Sequence, residues 1–565
     1  MMSSSLKRSL AALLSLLCVV VLAACSGIPR SSGVNQGSAV VPVENDAIEF
    51  LPAGPIQNGS IEQILRGFIE ASSSPVSDYA IARQFLTPEF ASAWDATTAV
   101  NVDSGLRTVS QTGENTGRLV FALTAQVGAQ GNYAEINPAV PTTFEYTFQQ
   151  VDGQWRISAA PNGVVIDRFT FDQVYQSHPL YFFDSTNTML VPDVRFFPAG
   201  ASASTRITKA LLAGPSQWLA ANGAVQTSFP EGTALVADTV PVTRGVAKVD
   251  LNAAALSADP AVIRRMKQQT SASLQSVATI NSVDLLVDGA VLNNSISDSA
   301  SDVMPPPIDS RPLVLTAKDF GYWDGTKIDT YGAFANVMIQ SQPSAISIGT
   351  MTNIAATLTS QGVSLVRNGT AQLVDSRSGL IAPTVDNFGY VWSVPADQPS
   401  KLQAISTDGK IQQVDTSWAS ADRILSLALS HDGTQVVALL ETNGSYQLVV
   451  SALVRGERSV PIALGPLFTQ TLSEGTPVSV AWVDATTIAT VTVNSAGLGL
   501  VRAQEIGGQS KELSSITEGT PQSMAGANTI SGLRVLTSSA ILLSLRGGTQ
   551  WQTALSGVTT LAVQQ

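Results

Sequence analysis

The pattern of apolar and polar positions predicts that the first ordered part of the chain begins with helices. Apolar residues recur at helical spacing over residues 61–69. Ser60 and Gln63, at the start of that run, have the three-residue spacing of a capping box. A second helix is predicted over residues 79–86, and the dipeptide Thr87-Pro88 suits the N-cap and first position of a third.

Strand patterns follow these helices. Segments rich in β-branched and aromatic residues lie at 118–127, 142–151 and 153–166, and Asp152-Gly153 is a hairpin signal. Helices that precede an antiparallel sheet indicate an α+β fold. The sequence therefore predicts an α+β domain over residues 56–172.

A second domain that mixes helices and strands is predicted over residues 179–295. The segment LYFFDSTNTMLVPDVRFF has the pattern of a hairpin, and a helix over 205–213 is stopped by Gly214-Pro215. Another helix begins at Asp259-Pro260 and precedes the strand SVDLLVDG. The apolar residues that we expect this helix to bury are Ile263, Met266, Leu274 and Val277. A segment rich in Ser, Asp and Pro, residues 296–311, is predicted to be a linker.

The remaining residues, 312–565, contain strand patterns and no convincing helix. Strand-rich units recur with starting points near Ser344, Leu380, Leu425, Pro477 and Ser523. This spacing is close to the ~40–50 residues of a propeller blade. We predict an all-β propeller of about five to six blades, in which residues 313–332 close the ring as part of a sixth. A β-sandwich, or a pair of them, is the alternative.

The N-terminus has the pattern of a targeting segment. Lys7 and Arg8 precede an apolar run over residues 10–22, which is short for a membrane span of ~20 residues. An ordinary secretory signal is one alternative, and a lipobox ending at Cys25 is the other. The sequence Leu-Ala-Ala-Cys predicts a lipoprotein signal peptide over residues 1–24. Cys25 would carry S-diacylglycerol and N-acyl groups, and residues 25–55 would form a flexible tether.

Charge and cysteine content restrict the partners and the stabilising chemistry. The formal net charge is −12, so the chain lacks the basic surface that nucleic acid binding requires. Anionic headgroups would repel such a chain, which leaves the acyl chains as the link to the membrane. The only other cysteine, Cys18, lies within the predicted signal, so no disulfide is expected in the mature chain.

Residue types that carry catalysis are scarce in this sequence. It has no G-x-S-x-G motif and only two histidines, His178 and His431, which lie far apart in the sequence. It also has no P-loop or EF-hand loop. We therefore predict no catalytic, metal-binding or cofactor-binding residue, and no enzyme activity. A cell-wall hydrolase remains one alternative, and a lipoprotein that binds a solute inside the first domain is another. We expect that interior to be filled by aromatic residues, namely Phe68, Phe85, Trp94 and Trp155.

Several motifs together resemble those of the actinobacterial LpqB lipoproteins. The first domain contains ILRGFIEAS, DYAIARQFLTPEFASAW and GQWRIS followed by PNGVVI, and its DGQWRIS strand is similar to the last strands of nuclear-transport-factor-2-like (NTF2-like) cone domains. The second contains LYFFD, LVPDVRFFP, ALLAGPSQWL and TSFPEGT, and the propeller contains APTVDNFGYVW. The turn at His431 resembles those of TolB-like propellers, which usually have proline there. The resemblance covers nearly the whole chain and implies an NTF2-like domain, a GerMN-like domain and a propeller.

The resemblance also implies a function without catalysis. LpqB lipoproteins are understood to act with the MtrA–MtrB two-component system, by contacting the extracellular sensor domain of the kinase and modulating its signalling. Cell-wall homeostasis and division would be affected, with the protein anchored on the extracytoplasmic face of the cell membrane. We expect residues 56–295 to recognise the kinase and the propeller to be a second contact or a platform facing the cell wall.

Overall fold

The computed structural model of the chain describes residues 52–292 and 299–565. The predicted signal peptide, nearly all of the predicted tether and Cys25 lie outside these residues. Part of the predicted linker, up to residue 298, lies outside them as well. The described residues from Pro52 onward belong to one compact unit, in which three domains follow each other along the chain.

The first domain places three short helices against one five-stranded sheet. The strand order is β4-β3-β2-β1-β5, and all neighbours are antiparallel except β1 and β5. The helices and strands are Ile61–Ala71 (α1), Ala80–Arg83 (α2), Pro88–Ala93 (α3), Ala99–Gln111 (β1), Thr116–Gly128 (β2), Tyr133–Val151 (β3), Gln154–Ala159 (β4) and Val164–Asp167 (β5). This arrangement confirms the predicted α+β fold.

Local sequence signals explain how α1 and α3 begin. The predicted capping box is present, because the Ser60 side chain accepts the Gln63 N–H while the Gln63 side chain accepts the Ser60 N–H. Thr87 caps α3 by accepting the Phe90 N–H. The predicted second helix is wrong in length, since α2 has only four residues and Tyr79 before it is left-handed, with φ of 60°.

The prediction of one strand over 153–166 is also wrong. The segment breaks into β4 and β5, which lie on opposite edges of the sheet. Pro161 cannot donate to a ladder, and Gly163 has φ of +88° with the Ala99 carbonyl 2.4 Å from where its Cβ would stand. The chain therefore leaves β4 at one edge of the sheet and pairs beside β1 at the other edge.

Aromatic side chains fill the interior of the first domain, as predicted. Phe68, Phe85 and Trp94 are buried, and half-buried Trp155 packs against them. The rings of Phe68 and Trp94 meet edge to face with centroids 5.2 Å apart. This packing removes the motivation for a ligand inside the cone.

The second domain continues from the first through Arg168–Val174 (α4), which leads directly into strand β6. Its two sheets have the orders β7-β6-β8 and β12-β11-β10-β9, and β10 runs parallel to β11. The elements are Tyr175–Asp184 (β6), Leu190–Pro198 (β7), Ala203–Ala213 (α5), Gln217–Ala220 (α6), Val225–Gln226 (β8), Val242–Thr243 (β9), Val246–Leu251 (β10), Pro260–Leu274 (α7), Ser282–Val287 (β11) and Ala290–Val291 (β12).

The predicted hairpin, helix stop and helix start are all present in this domain. β6 pairs with β7, Gly214 ends α5, and Asp259 caps α7 by accepting the N–H groups of Ala261 and Val262. The expected burial along α7 is correct for Met266 and Leu274. It is wrong for Ile263, which is half-buried, and for Val277, which lies beyond the helix end and is half-buried too.

The third domain is a propeller of six four-stranded blades. Blade one is Leu313–Thr316 (β13), Phe320–Trp323 (β14), Ile328–Thr330 (β15) and Val558–Gln564 (β37). Blade two is Ala345–Gly349 (β16), Ile354–Thr359 (β17), Gly362–Arg367 (β18) and Thr370–Asp375 (β19). Blade three is Thr384–Val385 (β20), Val391–Ser393 (β21), Gln403–Ile405 (β22) and Ile411–Gln413 (β23).

The other blades have the same four-strand order. Blade four is Arg423–Leu429 (β24), Gln435–Thr442 (β25), Ser445–Arg455 (β26) and Pro461–Leu464 (β27), with Phe468–Gln470 (β28) also paired to β26. Blade five is Thr476–Trp482 (β29), Thr487–Val493 (β30), Gly499–Glu505 (β31) and Ser510–Glu512 (β32). Blade six is Pro521–Ala525 (β33), Arg534–Thr537 (β34), Ile541–Arg546 (β35) and Gln550–Ser556 (β36).

The ring closes by pairing the two ends of the domain. The last strand, β37, pairs antiparallel with β13 and parallel with β16. The predicted role of residues 313–332 is therefore confirmed. Each of the five predicted unit starts lies within four residues of the first strand of a blade.

The expectation of a propeller segment without helices is wrong. Ala335–Ser341 (α8) follows β15, and its Ala335 and Met338 are buried with Phe334 against blade one. Seven residues span only two turns, so their periodicity cannot be distinguished from a short apolar run.

Candidate functional site at the domain junctions

The one site residue predicted from the sequence, Cys25, lies outside the described residues. Lipidation therefore stays a prediction. Among the helices of residues 52–292 and 299–565, none is long and apolar enough to cross a membrane.

His178 lies on β6 in a buried position, paired with a serine. Its Nδ1 lies 2.8 Å from the Ser276 Oγ, and that hydroxyl donates its proton to the Ser273 carbonyl at 3.1 Å. With the Ser276 proton directed at the Ser273 carbonyl, the imidazole Nδ1–H donates to Ser276. Burial lowers the pKa of His178 to about 4, so the ring is neutral. This geometry holds β6 against the end of α7.

His431 lies in the turn between the first two strands of blade four. The Asn387 side-chain amide donates to the His431 carbonyl, and burial lowers the pKa of the imidazole. The adjacent Asp432 accepts the N–H and Oγ1–H of Thr434 at 2.9 and 2.6 Å. Burial raises the pKa of this carboxyl. The turn is held by these bonds, and within the described residues no cluster of three or more His, Cys, Asp or Glu could hold a metal ion.

A buried arginine joins the first domain to the second. Arg195 on β7 is fully buried, and its Nη2 lies 2.6 Å from the Asp193 Oδ2. Its Nη1 donates to the Gln130 carbonyl and to the Asn132 Oδ1, both at 3.0 Å, in the β2–β3 turn of the first domain. Asp193 also accepts the N–H and Oγ–H of Ser216, at 2.7 and 2.8 Å. The ion pair lies within β7, and the two hydrogen bonds from Arg195 to the β2–β3 turn tie the domains together.

An aromatic stack joins the second domain to the propeller. Trp218 on α6 and Phe468 on β28 lie nearly parallel, with centroids 5.0 Å apart. Ala452 of blade four is part of the buried core of the second domain. Ser185 donates to the carbonyl of Arg455, whose guanidinium pairs with buried Asp386 at 2.8 Å. The second domain therefore packs on blade four through apolar contact and the Ser185 hydrogen bond, while the buried ion pair fixes Arg455 within the propeller.

The first domain also reaches the propeller directly. The Thr471 Oγ1 donates to the Glu135 Oε2 at 3.0 Å, and the Gln509 side chain donates to Asp172 at 2.8 Å. A cleft of about 370 Å³ lies between β3 and blades four and five, with Tyr133 and Phe468 among its lining residues. All three domains are therefore in mutual contact.

Carboxyl groups gather where the second domain meets blade five. Glu505, at the end of β31, has its pKa raised to about 7, chiefly by burial, while a hydrogen bond from Ser177 opposes the shift and nearby Asp484 adds to it. The negative charge of Asp484 also favours a higher pKa for His431 and for Tyr181 of the second domain. This junction therefore contains a carboxyl group that titrates near neutral pH.

Two large apolar side chains protrude from the first domain. Leu106 is 80% exposed and Phe169 is 74% exposed, more than any other large apolar residue in the described part of the chain. Leu106 lies at a bulge in β1, just after Asp103, and Phe169 lies in the first turn of α4, just after Asp167. Asp103 and Asp167 are register partners, so the two apolar side chains lie near the same end of the sheet.

Sequence reasoning did not identify these junction residues. Ser216 and Trp218 lie within the motif ALLAGPSQWL, which was noted only for its resemblance. Their partners are far away in the chain: Phe468 is 250 residues beyond Trp218. No local pattern indicates such pairs.

Comparison with known families matches each of the three domains. Residues 54–172 match the model for the N-terminal domain of lipoprotein LpqB, and residues 329–561 match that for the LpqB beta-propeller domain. Residues 179–293 match the Germane model, described as sporulation and spore germination.

Whole-chain relatives agree with these matches. Lipoprotein LpqB of Cutibacterium acnes is 26% identical, over 96% of this chain and 97% of that protein. Lipoprotein LpqB of Thermobifida fusca is also 26% identical, over 80% of this chain and 83% of its own length. Among solved structures, the tandem GerMN domains of GerM from Bacillus subtilis are 20% identical over 22% of this chain and 45% of that one, with a TM-score of 0.18. By its domain order and its relatives, the chain belongs to the LpqB family of lipoproteins.

Proposed function

We propose that this protein is a non-enzymatic accessory protein that modulates a two-component sensor kinase of the MtrB type. It is anchored by lipid on the extracytoplasmic face of the cell membrane and contacts the extracellular sensor domain of the kinase. Through that contact it affects cell-wall homeostasis and division. Membership in a family of lipoproteins and the lipobox at Cys25 support the anchoring.

The arrangement of the domains supports a role in binding. Contacts such as the Trp218–Phe468 stack and the Arg195 network join the domains in pairs. Domains that are joined in this way present their surfaces in a fixed relation to each other. Anchoring to the membrane also raises the effective concentration of the protein toward a partner in the same membrane. The one histidine that pairs with a serine, His178, is buried, which disfavours a hydrolase.

The observation that carries the proposal is the pair of exposed apolar side chains on the first domain. Fully burying a side chain of this size contributes about 2 kcal/mol, so Leu106 and Phe169 together could supply about 4 kcal/mol to an interface. Leu106 and Phe169 lie near the same end of the sheet, where one partner surface could cover both. We propose that the sensor domain binds at this end of the sheet. It lies within residues 56–295, the part of the chain that the sequence analysis expects to recognise the kinase.

Binding of the sensor domain to the full chain tests this proposal. The protein, purified in detergent, is mixed with the immobilised extracellular domain of the kinase from the same organism. We expect wild type to be retained and the double variant Leu106→Asn/Phe169→Asn to be retained at least tenfold less. Ile411→Asn, on blade three, is the matched control, since Ile411 is an exposed apolar residue far along the chain. Equal retention of the double variant and wild type contradicts the assigned surface, and no retention of wild type contradicts the function.

Separate fragments suit this test less well. A chain cut between the second domain and the propeller would expose Trp218, Phe468 and Ala452, which are in contact across the junction. New apolar surface of that kind binds non-specifically. Full-length variants keep the junctions closed, so a loss of binding can be assigned to the substituted surface.

A further inference from the structure

The second domain contains a cleft of about 350 Å³ that is separate from the domain junctions. One wall is the first half of α7 with the residues just before it, including Val262 and Arg265. The other wall is the loop after β8, which contributes Thr227, Ser228 and Phe229. Both walls come from segments with defined hydrogen bonding, so the cleft is a formed feature of the fold.

One side chain joins the two walls. Gln269, one turn beyond Arg265 on α7, is fully buried. Its Oε1 accepts the Ser228 N–H at 2.9 Å, and its Nε2 donates to the Thr227 Oγ1 at 3.3 Å. The same hydroxyl accepts the Phe229 N–H at 3.3 Å. The loop is therefore fixed to the helix before any ligand arrives.

Two polar atoms of the lining lack partners. The Oγ of Ser228 and the Nε of Arg265 are buried and have no hydrogen-bond partner in the structure. Buried polar groups are nearly always satisfied, and leaving one unpaired costs free energy that a bound acceptor recovers. Neighbouring Gln269 and Thr227, in contrast, are hydrogen-bonded to each other and to the loop.

The charge of the cleft favours an anion. Arg265 forms no ion pair with any carboxylate among the residues that the structure describes, and no Asp or Glu lines the cleft. Asp259 attracts Arg265 from the start of α7, but its carboxylate accepts the N–H groups of Ala261 and Val262 at 2.8 and 2.9 Å. Guanidinium groups bind carboxylate and phosphate through paired hydrogen bonds.

We propose that this cleft binds a small organic anion. Its carboxylate or phosphate group pairs with the guanidinium of Arg265 and accepts a hydrogen bond from the Ser228 hydroxyl. Its apolar or neutral body rests on Phe229 and Val262. This site is independent of the proposed contact with the kinase.

Calorimetric titration of the full chain in detergent, at constant ionic strength, tests the site. The probes are N-acetyl-alanyl-alanine for a carboxylate, glycerol phosphate for a phosphate, and N-acetyl-alanyl-alanine amide as the uncharged analogue. We expect at least one anion to bind, and the amide to bind about tenfold more weakly than the dipeptide if the carboxylate is the ligand. If only one of the two anions binds, the result shows whether the cleft takes a carboxylate or a phosphate.

Variants decide whether the bound anion occupies this cleft. Arg265→Gln should weaken binding about tenfold or more, and Ser228→Ala by a smaller factor. Arg264→Gln, the neighbouring arginine that does not line the cleft, is the matched control and should change binding less than about twofold. Thermal unfolding without ligand should be similar for both arginine variants, since neither arginine forms an ion pair with another described residue. Equal affinity of Arg265→Gln and wild type overturns the proposal, as does the absence of binding by either anion at about 10 mM.

Discussion

Replacing Arg195 by Gln tests how strongly the first two domains are joined. The substitution removes the 2.6 Å pair with Asp193 and both hydrogen bonds to the β2–β3 turn. Breaking a buried ion pair costs about 3–5 kcal/mol, because one charge is left without its partner. Asp193 would still accept two hydrogen bonds from Ser216, so we expect the lower value, about 3 kcal/mol.

Hydrogen exchange measures this effect locally, without assuming that a three-domain chain unfolds in one step. The Ser216 amide donates to Asp193, so peptides containing residues 130–132 and 214–216 report the opening of this junction. A loss of about 3 kcal/mol corresponds to a roughly 100-fold faster exchange. Arg118→Gln is the control, because its pair with Glu145 is about half exposed on both sides and should contribute at most ~1 kcal/mol. Similar exchange in the two variants would refute the view that Arg195 holds the junction.

Three further predictions concern the anchor and the propeller junction. Cys25→Ala should release the protein from the membrane fraction or leave an uncleaved precursor; cleavage with normal membrane retention would contradict the lipobox. Phe468→Ala should loosen the second domain from blade four by about 1–2 kcal/mol, measured as faster exchange in residues 216–220, since it removes the stack on half-buried Trp218. The raised pKa of Glu505 means that its contribution to stability is present in full below the unfolded value near 4.3 and is lost as the pH rises through about 7. Proteolysis at this junction should therefore increase between about pH 5 and 7 in wild type and level off above pH 7, and Glu505→Gln should not show this increase.

Local signals in the sequence predicted those parts of the fold that local interactions determine. The Ser60 capping box, the Thr87 and Asp259 caps and the stop at Gly214 each depend on residues within one turn. The blades were predictable because each repeats a short pattern. The break in the strand after Ala159 was missed, since β-branched residues on both sides of Pro161 and Gly163 resemble one continuous strand.

The sites depend on contacts between distant residues, which explains why the sequence did not indicate them. Arg195 meets a turn 63 to 65 residues earlier, and Trp218 meets a strand far along the chain. Arg265 is preceded by another arginine, Arg264, and nothing in the sequence distinguishes the two. Only the packing of α7 against the loop after β8 places one of them in the cleft.

Kinase activity in reconstituted vesicles tests the central claim most directly. The full-length sensor kinase is incorporated with the lipidated protein, and the rate of autophosphorylation is measured at increasing ratios of lipoprotein to kinase. The account predicts a saturable change in rate that is lost with Leu106→Asn/Phe169→Asn and kept with Ile411→Asn. An unchanged rate at saturating wild-type lipoprotein would contradict it.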